Sequence, residues 1–252
     1  METSKADIEA LNASGVRLIG KFHIKDEKII QTRQLEGLRA VESGKSGILR
    51  HTSYLREILI NDLVSTLYKK TPPTAWLGAL RRVVHLPISF VGGVNTVKKA
   101  ESLINAGADR IGVNSVLSEN FYFARGLVNA FGAQSVLIHV DARKVNGIYW
   151  PFTHSGRVKM DTHLAGWLAR LEEYVDCELL LTSIATEGTL TGFPRDLAEI
   201  VFENFKGRVM LTGGFGNCNQ VFEQQLSFPG TAVASASLFR SVPKTTNLSE
   251  AM

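Results

Sequence analysis

The chain has 252 residues, 44% of them hydrophobic, and a formal net charge of +4, enough for one large core at the usual size of a single α/β barrel. Its Lys and Arg are scattered among 24 acidic residues, so no basic block marks a nucleic-acid surface, whereas a small phosphorylated ligand suits the balance. Cys177 and Cys218 lack CxxC spacing, which points away from a disulfide framework or zinc site. No apolar run reaches membrane-spanning length and METSKADIEALN lacks the order of a signal peptide; a soluble, cytoplasmic protein with no membrane partner is expected.

In chain order, β-rich runs at VRLIGKFHI (16–24), LVSTLY (63–68), PISFVG (87–92), ADRIGVN (108–114), SVLIHVD (135–141), ELLLTSI (178–184), RVMLTGG (208–214) and TAVASAS (231–237) predict eight strands. Amphipathic stretches lie between them. In NTVKKAESLINAGA, Val97, Ala100, Leu103 and Ile104 recur at helical spacing and predict one buried face. Strands joined by helical crossovers make a parallel sheet covered on both faces, and eight of them close into a (β/α)8 barrel. An open doubly wound sheet is the alternative. The barrel reading assigns 1–15 to an N-terminal extension, 16–240 to the barrel and 241–252 to a C-terminal tail.

Two phrases echo one another: FVGGVNT (90–96) and LTGGFGN (211–217). Gly92 precedes Asn114, and Gly213 precedes Ala236, by nearly the same interval, so the match spans a whole βαβ unit and predicts a barrel of two similar halves. Glycine turns leading from strands into helix N-termini can cradle phosphate at the C-terminal face of a barrel. Gly92, Gly93, Gly213 and Gly214 are therefore candidates for holding a ligand with a phosphate at each end. The plain alternative is that they only make tight turns.

The segments DARKVNGIYWPFTHSGR (141–157), LLLTSIATEGTLTGF (179–193) and TGGFGN (212–217) resemble the cyclase subunit of imidazole glycerol phosphate synthase, from about Val16 to Arg240. The resemblance implies a ribulose-phosphate-binding type of TIM barrel. It also implies a lyase reaction in histidine biosynthesis, in which ammonia from a separate glutaminase subunit crosses the barrel to a bis-phosphorylated imidazole precursor. No cofactor or metal is implied, and the six histidines form no HxH or HExxH pattern.

Carried across, the family's strand-five catalytic aspartate is Asp141, but the strand-one aspartate is His23 in FHIKDE. An imidazole titrates near 6.5 unaided and can still move protons; a hydrogen-bonded rim residue is the bland alternative. Asn114, Ser155, Thr182, Glu187, Gly188, Gly213, Gly214 and Ser237 fall at expected substrate or phosphate contacts, with Gly92 and Gly93 in the other turn. The family's first-loop lysine aligns with Gln31, its acidic strand-two terminus with Leu67, and GLRAVESGKSGILRHTSYL (37–55) does not read like the family's first loop. At the opposite end, Arg17, Asp62, Arg110 and Glu178 preserve the signs of the ring that guards the ammonia entrance, unless they form only a structural ion cluster. Paralogues of this subunit serve in surface-polysaccharide amidination and also lack the strand-one aspartate. Three readings stay open: a working cyclase, an ammonia-delivering subunit for another acceptor, and a noncatalytic phosphate-binding scaffold.

Overall fold

A computed structural model of the chain describes residues 4–239. Twelve strands form one sheet: β1 (Leu18–Lys25), β2 (Lys28–Arg33), β3 (Glu36–Ser43), β4 (Glu57–Asp62), β5 (Ile88–Val91), β6 (Arg110–Val113), β7 (Val136–Val145), β8 (Ile148–Thr153), β9 (Val158–Lys159), β10 (Glu178–Ser183), β11 (Val209–Thr212) and β12 (Ala232–Ser235). Eight of these pair in parallel in the order β1, β4, β5, β6, β7, β10, β11, β12 and back to β1. The closed (β/α)8 barrel is the architecture that the sequence predicts, and the open sheet is excluded.

The helices are α1 (Lys5–Ala13), α2 (Gly44–Leu49), α3 (Thr74–Arg81), α4 (Val97–Asn105), α5 (Val116–Glu119), α6 (Phe123–Phe131), α7 (Leu164–Arg170), α8 (Arg195–Asn204) and α9 (Cys218–Ser227). Helix α1 lies in the segment expected to precede the barrel, and its Ile8 and Leu11 join the main apolar core. In α4, Ala100 and Leu103 are buried and Ile104 packs against the core, but Val97 is exposed. Val97 is the first residue of the helix. Among the described residues no helix is long and apolar enough to cross a membrane.

Side chains alternate across a strand, which divides the apolar residues into two layers. Leu18, Phe22, Ile24, Ile58 and Ile60 face outward into the large core between sheet and helices. Ile19, Leu59, Val91, Leu180, Met210, Ala232 and Ala234 form a separate cluster inside the barrel. The same parity places Lys21 and His23 with Ile19 on the inward face of β1, and His139 and Asp141 on that of β7.

The second barrel strand differs from the expected one. It runs over Glu57–Asp62, and residues 63–68 form bends and turns. Asp62 stops the strand: its Oδ1 accepts from the backbone N–H groups of Val64 and Ser65, each at 3.0 Å. This local side-chain turn competes with further sheet pairing, although LVSTLY is rich in strand-forming residues. Leu67 is therefore not a strand terminus, and Asp62 occupies that position.

The half-barrel repeat has a structural counterpart. Gly92 (φ +114°) and Gly213 (φ +106°) each follow a strand, and each passes beneath the last carbonyl of the preceding barrel strand, Asp62 and Ser183 respectively. A Cβ at Gly213 would stand 2.6 Å from the Ser183 oxygen. Both positions thus require glycine for φ and for close approach. Antiparallel hairpins also follow the first barrel strand, as β2 and β3, and the fifth, as β8 and β9.

Candidate active site at the C-terminal face of the barrel

The hairpin of β2 and β3 folds across part of the barrel mouth. Gln34 N–H donates to the Glu187 carbonyl at 2.8 Å, and Gln34 Nε2 donates to that of Ala185 at 2.9 Å. Ile30 and Leu35 then pack with Leu63, Phe152 and Ile184 in a small apolar cluster over the sheet ends. Gly188 (φ +73°) lies against the Thr32 carbonyl with no room for a Cβ. Gly188→Ala is accordingly expected to lower the free energy of unfolding by about 1–3 kcal/mol through strain and loss of hairpin docking, measured by urea denaturation; an unchanged midpoint would show that the hairpin does not depend on this contact.

Beside the hairpin, a cavity of about 390 Å³ opens between the ends of β4, β5, β6 and β7. Asp62, Gly92, Gly93, Asn114, Asp141 and Ser155 line it. The Asp141 carboxylate is fixed at its floor, where Oδ2 accepts from Asn114 Nδ2 at 3.0 Å. Asn114 also reaches the Phe152 carbonyl at 3.3 Å, so the β7–β8 hairpin holds the amide that holds the carboxylate. Ser155 (φ +54°) is anchored by its hydroxyl to the Leu63 carbonyl at 2.9 Å. Lys69, Lys99, Ser115, Glu119, His139 and His154 also line the cavity. Thr96 caps α4 by accepting from Lys99 N–H at 3.2 Å, and Gly93 N–H donates to Thr66 Oγ1 at 3.1 Å. The N–H expected to face an anion is therefore already partnered.

At the other glycine turn, groups that flank the glycines are bonded within the chain. Gly214 carbonyl accepts from Gly192 N–H at 2.9 Å, and Gly216 and Asn217 N–H groups donate to Gln220 Oε1. Ser235 Oγ accepts from the N–H groups of Ser237 and Leu238, each at 3.2 Å. Gly213, Gly214 and Ser237 do not line the cavity.

His23 is also separated from it. His23 Nε2 stands 3.0 Å from Glu187 Oε1, and Lys21 Nζ donates to Glu187 Oε2 at 3.0 Å. All three side chains are buried. Burial alone would raise the Glu187 pKa, but the Lys21 charge and the His23 contact outweigh it and hold the carboxyl well below its ordinary range. Glu187 is thus part of an internal ion cluster, and Thr182 contacts His139 through its hydroxyl at 3.0 Å.

At the opposite end of the barrel, the charged ring consists of Arg17, Glu57, Arg110 and Glu178. Arg17 makes a forked pair with Glu57, at 2.6 and 2.9 Å, and also contacts Glu178. Arg110 meets Glu57 at 2.9 Å and Glu178 through its other nitrogen. Burial works against the Arg17 charge, yet its bonds to Glu57 and Glu178 hold its pKa above the usual value; Glu57 is depressed, burial being overcome by Arg17 and Arg110. Asp62 does not belong to this ring. The shifted strand assignment places Glu57 at the strand start and Asp62 at the cavity, a full strand length away.

Several site residues escaped the sequence reading. Lys21 and His139 carried a usable signal: each lies two positions before a selected residue, His23 or Asp141, and therefore on the same strand face. Lys69, Ser115 and His154 come from loops, where no period indicates orientation, and Lys99 lies in the first turn of α4.

Together, the repeat, the hairpins and the cavity define a (β/α)8 barrel whose polar site lies at the C-terminal ends of its strands, with a charged ring at the other end. The chain belongs to the family described as histidine biosynthesis protein, whose model matches residues 48–242. It is 30% identical over 209 residues to the imidazole glycerol phosphate synthase subunit HisF of Legionella pneumophila, covering 82% of this chain and 99% of that protein. Identity to the HisF subunits of a Thermotoga species and Chlorobaculum parvum is 26% and 25%, over 87% and 88% of this chain and 87% and 89% of those proteins. The chain is thus HisF-like and divergent.

Proposed function

We propose that this chain is an ammonia-using cyclase subunit of the HisF type: it receives ammonia from a partner glutaminase subunit at the charged-ring end and combines it with a bis-phosphorylated imidazole precursor at the cavity. The observation that carries this reading is the alignment, along one barrel axis, of a closed Arg17–Glu57–Arg110–Glu178 ring, an apolar interior and the Asp141 cavity. Ammonium would lose its hydration inside such an interior at high free-energy cost, whereas neutral ammonia carries no charge to desolvate. The ring can bind ammonium at the entrance and the apolar layer selects the deprotonated form.

In the cavity, Asp141, oriented by Asn114, is the carboxylate to which this reading gives acid–base work. One phosphate would be held by Ser115, Lys69 and Lys99 near the Gly92–Gly93 turn. The second would meet the Gly213–Gly214 turn and the Ser237 N–H, displacing the Ser235 hydroxyl from that N–H. The test is turnover of the bis-phosphorylated precursor with ammonium salt. Asp141→Asn is expected to lower kcat at least about 100-fold, the lower range for a positioned acid–base group; an equally active variant would remove Asp141 from the chemistry.

Two observations favour a second reading, delivery of ammonia to a surface-sugar amidination enzyme. The N–H groups of Gly216, Ser237 and Leu238, which flank the second glycine turn, are bonded internally, and His23 is engaged by Glu187. Failure to turn over the imidazole precursor, together with glutamine-dependent amination of a sugar acceptor in the presence of a third enzyme, would select that reading.

A further inference from the structure

We propose that proton transfer in the cavity is performed by a His139–Asp141 dyad, with His139 as the residue that meets the substrate, and that His23 belongs to the buried ion cluster. This rests on the cyclase reading of the site for its substrate, but its geometric basis is independent of it. His139 and Asp141 lie two residues apart on β7, face the barrel interior and both line the cavity. His23 does not line it.

His139 Nε2 lies 3.0 Å from Asp141 Oδ1 and 3.0 Å from Thr182 Oγ1, and its hydrogen bond is with the threonine hydroxyl. Thr182 stands beside Asp141 in the pairing of β10 with β7. Asn114 fixes the other carboxylate oxygen. One ring nitrogen therefore lies between a hydroxyl and a carboxylate oxygen, themselves held by a neighbouring strand and an amide. In the proposed dyad Nε2 carries the proton, facing a carboxylate oxygen that can only accept, and Nδ1 is the nitrogen that takes the substrate proton.

Asp62, Lys69, Lys99, Glu119 and His154 also line the cavity, but among the described residues Asp141 is the carboxylate that contacts this ring. In the step, a substrate N–H or O–H bond breaks, its electron pair remains on the substrate, and the proton forms a bond to Nδ1. Asp141 then faces the resulting imidazolium. Return of that proton to a leaving group restores the neutral ring, so the cycle requires no external oxidant, reductant or further reactant.

The expected result for His139→Gly with ammonium as nitrogen source is a fall in kcat of about 100-fold or more, with KM within about threefold, and partial recovery on adding free imidazole. A wild-type kcat in a variant of unchanged melting temperature would overturn the proposal. His23→Gln should retain kcat within about threefold; a loss there comparable to that expected for His139→Gly, with folding intact, would return the acid–base role to His23. If wild type does not turn over the precursor, the cyclase reading fails and the dyad is decided separately by 15N NMR of the histidine rings near pH 8. His139, assigned through loss of its signals in His139→Gln, is expected as the Nε2–H tautomer; the Nδ1–H tautomer would overturn the dyad whatever the substrate.

Discussion

His23→Asp is expected to destabilise the protein by about 3 kcal/mol near pH 8, although it introduces the residue that the resemblance leads one to expect on the first strand. The loss follows from the buried cluster. In the native chain Glu187 is flanked by Lys21 and His23, each 3.0 Å away, and its carboxyl is held well below its ordinary pKa of 4.5 despite burial. A carboxylate introduced at position 23 would replace a proton donor by a like charge and leave Lys21 to balance two acids in a site removed from water. Breaking a buried pair in this way typically costs about 3–5 kcal/mol.

The pH dependence has a definite sign. The depressed carboxyl of Glu187 in wild type contributes stability above about pH 4.5 that is lost as pH falls through its lower folded value. In His23→Asp the facing carboxylates raise one folded pKa above its unfolded value, so that variant regains stability as pH falls and one carboxyl takes up a proton. The difference between the two proteins should therefore narrow from pH 8 to pH 5 in urea unfolding. Equal stability at pH 8 would show that His23 and Glu187 are not coupled.

The second large effect is expected at the ring. Arg110→Glu places a third carboxylate beside Glu57 and Glu178, with Arg17 alone to balance them. Repulsion should open or distort the entrance without altering Asp141, which lies at the far end of the barrel. In a complex reconstituted with the glutaminase, glutamine-dependent turnover is expected to fall at least about tenfold, a coupling of about 1.4 kcal/mol. Turnover with free ammonium should stay within about threefold, because ammonia can enter from the cavity side. Arg110→Lys, which keeps the sign, should impair the glutamine reaction less. Equal losses with both nitrogen sources, together with a lower melting temperature, would reduce the ring to a structural ion cluster.

Which features were legible in the sequence depends on how far each pattern is local. Seven of the eight barrel strands could be placed because buried parallel strands read as short apolar runs. The exception was β4, where EILIND and LVSTLY compete within a few residues and the arrest of the strand by Asp62 depends on its side-chain bonds. That displacement exchanged Glu57 for Asp62 in the ring. The β7–β8 hairpin turns at Asn146–Gly147, a strong local signal. By contrast, β1 and β2 turn at Asp26–Glu27, and β2 and β3 at Gln34–Leu35, all four with positive φ. Non-glycine residues in that region are held by surrounding contacts: Leu35 is buried, and Gln34 is bonded to the loop after β10. The first hairpin was illegible because distant residues stabilise its turn. Site residues on strands inherit a period of two, whereas the separation of His23 from the cavity depends on Glu187, far away in the chain.

The central claim, that ammonia crosses the barrel from the ring to Asp141, is tested most directly by isotope competition. The reconstituted complex would be given glutamine labelled with 15N at its amide, the bis-phosphorylated precursor and an excess of unlabelled ammonium, and the product nitrogen read by mass spectrometry. Passage through the interior predicts product far richer in 15N than the pool of free ammonia, with that excess abolished in Arg110→Glu. Product whose label matches the free pool, in a complex with an active glutaminase, would show that the nitrogen reaches Asp141 through solvent and would contradict the account.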